Sequence, residues 1–531
     1  MSQENKKYRS ANYRGNARGL NKHEKAQGED NYTMMQGFEW YEKPGGSYYK
    51  TMLSRIPSLA SMGITAIWLP PPTKASSPEG NGYDIYDLWD LGEFEQKGER
   101  ATKWGTKEEL LELTKKMKAE GIVAYCDAVL NHKAGADYTE TFKAIEVAEE
   151  NRNQEISDAY DIDGWTGFNF EGRKGKHSEF IWNFNHFTGV DYDDKSKKTS
   201  IFKIQGEGKT WAKAVDSEKG SFDYLMFADV DHSHPDVSEE MIKWGVWILK
   251  EAGFDGFRFD AIKHIDESFI AKFCQEVRER VDNPDLFCVG EFWKDSLGSL
   301  QGYLDRCPTQ FSIFDTPLHY NFKQAGDQAE NFDIRSVFDD SLLQSSPMDA
   351  VTLVENHDTQ VGQALESAVA PWFKPLAYSL ILLRGDGYPC VFAGDLYGCK
   401  GDPETEPVNQ LTDIIRARKL FAYGPTRDYK DHMNCWGWVR EGDKNHDGCA
   451  VVICNGTGDG EKRMQIPDGH AGEVWTDVLG WFQGEVTIGD DGWADFKCHE
   501  RSVSIWAKKD ARGREEYGQD TKEIEEGVKD L

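Results

Sequence analysis

Apolar residues gather into eight short, nearly unbroken runs, at 32–40, 64–71, 122–131, 256–261, 287–293, 311–315, 350–355 and 388–393. They show little of the in–out alternation of a half-exposed sheet, so they predict strands of a parallel sheet covered on both faces. Between most of them, apolar positions recur at helical spacing. Over 107–121, Leu110, Leu113 and Met117 form one stripe that stops at Gly121, a C′ glycine. A second helix is expected to open at Asp236, with Glu239 completing a capping-box-like start, and to stop at Gly253. A third is expected over 266–281. After Tyr48 a helix is expected to break at Pro57. Eight strands with intervening helices predict an α/β fold of the (β/α)8 TIM-barrel type.

The period fails in two places. More than a hundred residues separate the third run from the fourth, and only 236–252 reads as the barrel helix. A structureless loop of that length is disfavoured, so the stretch is expected to be a small β-rich domain inserted after strand 3. From about 424, short alternating runs separated by turns such as Asn455-Gly456 and Asp491-Gly492 predict a C-terminal antiparallel β domain. The expected organisation is a flexible arm over 1–30, a barrel over 31–132 and 223–423, an inserted domain over 133–222, a β-sandwich over 424–508 and a charged tail over 509–531.

Composition narrows the partners. The 531 residues carry a net charge of −30, which repels phosphate backbones and anionic lipid. Nucleic acid and membrane surfaces are therefore excluded as expected partners, and a neutral substrate or a cation is favoured. No run reaches the roughly 18 apolar residues of a membrane span, and residues 1–30 contain no apolar signal core. The ten cysteines form no CxxC pair, and Cys126, Cys288 and Cys390 lie in apolar runs. Buried reduced thiols, a cytoplasmic location and a monomer are the expectations.

Two carboxyl groups, one ionised and one protonated, can divide nucleophilic and acid–base work between them. A barrel carries its chemistry at the C-terminal ends of its strands. The third run ends with Asp127, Asn131 and His132, the fourth with Asp260, the fifth with Glu291 and the seventh with Asp358. Arg258 lies two residues before Asp260 and so points the same way from a strand. It is expected to hold that carboxyl ionised and low, as suits a nucleophile. Glu291 lies among Val289, Phe292 and Trp293, where desolvation raises a carboxyl's pKa, as suits a proton donor.

The segments DAVLNH, GFRFDAIKH, GEFW and ENHD, in that order, resemble the four short motifs of the α-amylase family, glycoside hydrolase family 13. MMQGFEWY and NGYDIYDLWDLGEF resemble its bacterial liquefying-type subgroup and the intracellular relatives of that subgroup. The resemblance spans roughly residues 30–508. It implies endo-hydrolysis of α-1,4-glucosidic bonds in starch, glycogen and maltooligosaccharides by a retaining double displacement. Asp260 would be the nucleophile, Glu291 the proton donor and Asp358 the third carboxylate. Trp40, Tyr83, Asp87, His132, Arg258, Lys263, His264, Trp293 and His357 would bind substrate. A transglycosylating or maltooligosaccharide-forming enzyme shares the same intermediate. A binding protein without turnover would not need the complete triad.

The resemblance also implies one structural Ca2+, held by Asn131, Asp223, Asp229 and the His264 carbonyl, since hard cations take oxygen ligands. Liquefying-type relatives add further ions on acidic residues. Here Thr188, Ala212 and Ser233 stand at three of those positions and only Asp231 remains. One carboxylate is too little to hold two adjacent cations, so no linked metal cluster is expected.

Overall fold

Each of the eight apolar runs contains one strand of a closed barrel. In the computed structural model these are β1 (Met34–Gln36), β2 (Ala66–Trp68), β3 (Val123–Ala128), β4 (Gly256–Phe259), β5 (Phe287–Gly290), β6 (Ser312–Phe314), β7 (Ala350–Leu353) and β8 (Tyr388–Phe392). They close in sequence order, every neighbour parallel. The structure describes residues 31–307, 309 and 311–517. The arm expected over 1–30 and the last part of the charged tail lie outside the described residues. Every position of β4 and β5 is buried. One face lines the barrel interior and the other lies under helices, which is why these strands show no alternation.

The outer layer comprises α1 (Tyr48–Met62), α2 (Lys107–Ala119), α3 (Pro235–Ala252), α4 (Glu267–Arg280), α5 (Leu297–Arg306), α6 (Thr316–Gln328), α7 (Lys374–Leu382) and α8 (Leu411–Leu420). In α2 the stripe Leu110, Leu113 and Met117 is buried, a Thr106–Glu109 capping box closes the start, and Gly121 follows at φ +77°. Two expectations are corrected. The break at Pro57 is absent: α1 continues through it. Pro57 is exposed, so the Leu53 carbonyl deprived of its N–H lies on the solvent side, while Tyr49, Met52, Ile56 and Leu59 hold both halves of the helix to the barrel. The α3 N-cap lies two residues earlier than expected. His234 is the N-cap and Pro235 opens the helix, while Glu239 instead pairs with Arg280 of α4 at 2.9 Å.

Between β3 and β4 the chain forms a seven-stranded antiparallel sheet built on Tyr138–Ala148, Tyr160–Gly167, Phe187–Asp193 and Lys198–Ile204. It reaches the barrel through two short strands, His132–Lys133 and Ala228–Val230, with His132 opposite Asp229. His132–Lys133 straddles the expected start of the inserted domain at 133, and Ala228–Val230 lies beyond its expected end at 222. After the barrel, a six-stranded antiparallel sheet faces the pair Gly460–Gln465 and Trp493–Cys498 across a core that includes Met464, Phe496, Trp475 and Trp506. The expected charged tail does not begin at 509. Residues through Tyr517 fold back on α8, with the Tyr517 ring 6.3 Å from Phe421 and Arg514 Nη2 donating to Thr476 Oγ1 at 2.7 Å. All ten cysteines are buried and none is in a disulfide. Among the described residues no helix is long and apolar enough to cross a membrane.

Candidate active site

The barrel brings the predicted carboxylates to one rim and places a single guanidinium behind them. Arg258, on β4, is fully buried. Its Nη1 donates to Asp127 Oδ1 at 2.9 Å and to Asp260 Oδ1 at 2.8 Å, and its Nη2 donates to Glu291 Oε2 at 2.6 Å. The planar fork thus fixes the carboxyls of β3, β4 and β5 relative to one another. Backbone bonds stitch the strand ends. Asp260 N donates to Ala128 O at 3.1 Å, Glu291 N to Phe259 O at 3.0 Å and Ile262 N to Glu291 O at 3.0 Å. Directly after Asp260 the chain turns through a left-handed Ala261 (φ +49°), whose N–H lies 3.3 Å from Glu291 Oε2. That conformation is costly for a residue with a Cβ, and here it stands between Asp260 and the Glu291 carboxyl.

Asp358 follows β7 on an Asx turn, in which Asn356 Oδ1 accepts from Asp358 N at 2.9 Å and from Thr359 N at 2.9 Å. His357 Nδ1 is anchored by Gln36 Nε2 at 2.9 Å, which leaves Nε2 toward Asp358 Oδ2, 3.5 Å away. Tyr83 lies flat against His357 (centroids 5.0 Å, 9°) and Trp40 stacks over Tyr83 at 5.9 Å. The Tyr83 hydroxyl and Trp68 Nε1 each donate to Asp127 Oδ2 at 2.8 Å. Tyr83 O in turn lies 2.7 Å from His132 Nε2. Across the cleft, Lys263 Nζ donates to the Trp293 carbonyl at 3.2 Å, and Trp293 Nε1 donates to Tyr320 at 3.0 Å.

Burial governs the electrostatics. It pushes the Asp260 carboxyl up to about 6, Arg258 pulling down and Asp127 pushing up again. The expectation that Arg258 would hold Asp260 low is therefore corrected: desolvation outweighs one shared guanidinium. Glu291 is also raised, by burial first, with Arg258 opposing and Asp260 adding to the rise. Asp358 is raised well above the carboxylate range by burial and by the Glu291 charge. Carboxyls this close cannot all ionise together, so the site holds protons near neutrality.

Three expected substrate contacts are placed elsewhere. Asp87 is fully buried and accepts from Arg173 Nε at 2.9 Å and from Gln96 Nε2 at 3.0 Å. It ties the segment after β2 to the inserted sheet and offers a sugar no free oxygen. Arg258 lies behind the carboxylates with no exposed surface. The His264 ring is buried, with Nδ1 2.7 Å from Phe222 O. The sequence pattern did not single out Phe227 and Trp165. Phe227, at φ +53°, lies 5.5 Å from the His132 ring and shares with the 43% exposed Trp165 a cavity of about 210 Å³. Exposure of a large indole was the only available signal, and a sequence does not display it.

Asn131, Asp223 and Asp229 come together where the inserted sheet joins the barrel, and all three are buried. Asn131 Oδ1 has no hydrogen-bond partner. Asp223 Oδ2 accepts from Ala212 N at 2.8 Å, and Thr188 Oγ1 donates to Asp229 Oδ2. Burial pushes Asp223 up to about 7, and burial with the adjoining Asp223 pushes Asp229 higher. Two buried carboxyls facing each other beside an orphaned amide oxygen fit a hard cation. Among the described residues no group of three or more His, Cys, Asp or Glu forms a metal site, so such a cation would depend on amide and carbonyl oxygens as well. Asp231 is already paired: Lys209 Nζ lies 2.6 Å from Oδ2, and Ser233 Oγ donates to Oδ1 at 2.5 Å.

A closed parallel barrel with buried or half-buried carboxyls at the C-terminal ends of β4, β5 and β7, and aromatic faces above them, is the arrangement of a barrel glycoside hydrolase. Residues 47–438 match the family model for the α-amylase catalytic domain. The chain is 46% identical over 482 residues to a glucan 1,4-α-maltohexaosidase of Bacillus sp. (strain 707), covering 90% of this chain and 93% of the relative. It is 40% identical over 489 residues to a cytoplasmic α-amylase of Escherichia coli (strain K12), covering 90% and 98%. Among solved structures, an α-amylase from Geobacillus thermoleovorans complexed with acarbose superimposes with a TM-score of 0.60 at 17% identity, over 92% of this chain and 100% of that one. The chain belongs to the α-amylase family of glycoside hydrolases.

Proposed function

We propose that this glycoside hydrolase cleaves internal α-1,4-glucosidic bonds of starch, glycogen and maltooligosaccharides with retention of configuration. The observation that carries this is the Arg258 fork, which holds Asp260 and Glu291 against one guanidinium at adjacent strand ends. That arrangement is compatible with the roughly 5–5.5 Å carboxyl separation of retaining enzymes. Asp260 attacks the anomeric carbon as Glu291 gives its proton to the leaving oxygen. Glu291 then takes a proton from water, which displaces Asp260 and restores both groups. Asp358 and His357 hold sugar hydroxyls, Tyr83 and Trp40 cover the ring, and His132, Lys263 and Trp293 line the cleft. Starch digestion followed by NMR should show α-anomers first; β-anomers first would refute retention. Glu291→Gln should lower kcat by about 10²–10⁴ as the general acid is lost.

A maltooligosaccharide-forming variant of this reading is favoured by Trp165 and Phe227, which extend the aromatic surface beyond His132 toward the inserted sheet. Trp165→Ala should then weaken binding of long oligosaccharides and shorten the main product, leaving maltotriose turnover unchanged. An unaltered product profile would remove this variant. We further propose one structural calcium on Asn131, Asp223, Asp229 and the His264 carbonyl. Bound there, it would neutralise the two acids and pin the inserted sheet beside Asp260. The Lys209–Asp231 pair supports a single ion, because the acid next in line already has its cation. A cytoplasmic setting is supported by ten buried, unbridged cysteines. Thiol titration of the denatured, unreduced protein should count all ten.

A further inference from the structure

Three cysteines of the C-terminal β region converge over Gly460. Cys435 and Cys454 face each other on the neighbouring strands Cys435–Arg440 and Cys449–Cys454, and Cys498 faces Gly460 on the strands Trp493–Cys498 and Gly460–Gln465. A Cβ at Gly460 would lie 2.9 Å from Cys498 Sγ, 3.0 Å from Cys435 Sγ and 3.0 Å from Cys454 Cβ. The absent side chain is what makes room for the sulfurs. The chemistry at the barrel rim uses none of them. We propose that Cys454 and Cys498 are a peroxide-oxidisable pair, which closes into a reversible disulfide joining the two C-terminal sheets.

Cys454 is the attacking sulfur. Its thiol donates to Gly458 O at 3.3 Å, directly beneath a turn whose Thr457, Gly458 and Asp459 are exposed. Glycines at 456 and 458 put no side chain over the sulfur on that side. The Cys498 thiol hydrogen-bonds to Cys454 and brings its pKa down to about 7 against the effect of burial, and the Gly456 and Arg501 N–H groups add to the fall. A good part of Cys454 is then thiolate at neutral pH, the form that attacks peroxides. The same contact raises Cys498 well above the ordinary thiol value, so it waits protonated as the second sulfur. Asp459 Oδ1 accepts from Glu500 N at 3.3 Å, which ties the turn after Cys454 to the turn after Cys498. Cys435 is the bystander: its sulfur is directed to Glu461 O at 3.9 Å, and burial pushes its thiol up to about 11.

The chemistry balances with hydrogen peroxide as the oxidant. The Cys454 thiolate attacks one peroxide oxygen; an S–O bond forms, the O–O bond breaks, and the released hydroxide takes a proton to become water. Sulfur has lost two electrons to the peroxide. Cys498 then attacks the sulfenic sulfur; the S–S bond forms, the S–O bond breaks, and the hydroxyl leaves as water with the Cys498 proton. A thiol reductant reverses the link. Cys454 belongs to the six-stranded sheet and Cys498 to the two-stranded pair. Asn455, next to Cys454, donates from Nδ2 to Ala329 O and Phe332 O of the barrel at 2.8 Å each. The bridge therefore fastens the outer pair to the sheet that grips the barrel, and it restricts the unfolded chain.

The test treats the full chain with hydrogen peroxide, alkylates the remaining thiols under denaturing conditions and maps the peptides. Two thiols should be lost, a cross-linked peptide should join Cys454 to Cys498, and dithiothreitol should restore both. Cys454→Ser should abolish the loss, and Cys498→Ser should leave a sulfenic acid on Cys454 that dimedone traps. Cys435→Ser should still form the bridge. Cys274 on α4 and Cys288 on β5 also hydrogen-bond each other, but both are fully buried, and they should stay reduced. The oxidised wild type should gain about 2–5 °C in Tm, and oxidised Cys498→Ser none. Should a variant fold poorly, the wild-type peptide map decides alone. Retention of all ten thiols, or a bridge between Cys274 and Cys288 in place of this one, would overturn the proposal; a bridge that leaves Tm unchanged would refute its role in joining the sheets.

Discussion

Arg258 is the guanidinium that bonds three buried carboxyls, Asp127, Asp260 and Glu291, with the half-buried Asp358 beside them. On the proposed mechanism the working form has Asp260 ionised and Glu291 protonated. Because burial raises Asp260 to about 6, kcat/KM should fall as pH drops through that region and the nucleophile takes up a proton. On the alkaline side it should fall as Glu291 loses its own; the apparent values belong to the whole set. Arg258→Lys keeps the charge but loses the fork, so Asp260 should rise further and the acid limb of the profile should move to higher pH. An acid limb that stays put would show that the fork does not set it. Asp87 gives the opposite kind of prediction. Asp87→Ala leaves Arg173, 1% exposed, without its carboxylate. Breaking a buried pair in this way costs about 3–5 kcal/mol. Denaturant unfolding should show that loss, with KM for maltotetraose unchanged in the folded fraction; a raised KM without a stability loss would return Asp87 to the substrate site.

Elements were legible where one local rule decided them. In α2 the capping box, apolar stripe and terminal glycine agree, and Thr106→Ala should cost about 1 kcal/mol in thermal or chemical unfolding. A cost near zero would mean that the cap is not used in solution. Where rules compete, context decides: Pro57 should break α1, but packing against the barrel holds both halves together. The C-terminal strands Thr426–His432, Gly460–Gln465 and Trp493–Cys498 went unread, because each has a solvent-facing side filled with charged residues. His319 on α6 joins two elements, bonding Val354 O at 2.8 Å and Ser367 Oγ at 2.9 Å. Burial holds it down at about 4, below its unfolded value of about 6.5. Between these values the unfolded chain binds the extra proton, so the neutral ring's stabilisation is full above about pH 6.5 and is lost as pH falls toward 4. The stability gap between wild type and His319→Gln should therefore shrink from pH 7 to pH 5. A constant gap would mean that the ring is charged in the folded protein or unprotonated in both states.

At the scale of the whole molecule, the inserted sheet meets the barrel at Asn131, His132 and Asp229, next to the Asp260 rim. Chelation should lower Tm and activity together, since an ion that binds only the folded state at 100 times its Kd adds about 2.7 kcal/mol. Elemental analysis after dialysis against trace calcium should give about one ion per chain. Two or more would show that Lys209 does not stand in for further metal at Asp231. The sequence by itself determined the barrel, because strands buried on both faces must be apolar throughout and their ends are marked by the few carboxylates and histidines proposed to carry the chemistry. It also determined which carboxylates gather, since each ends a strand and all strands of a parallel barrel end on one rim. Only the tertiary structure decided what those groups experience. Burial overrides the neighbouring arginine at Asp260, a remote Arg173 withdraws Asp87 from the site, and a lysine completes Asp231. Desolvation and contacts between residues far apart in the chain set these outcomes, and neither is written in local pattern.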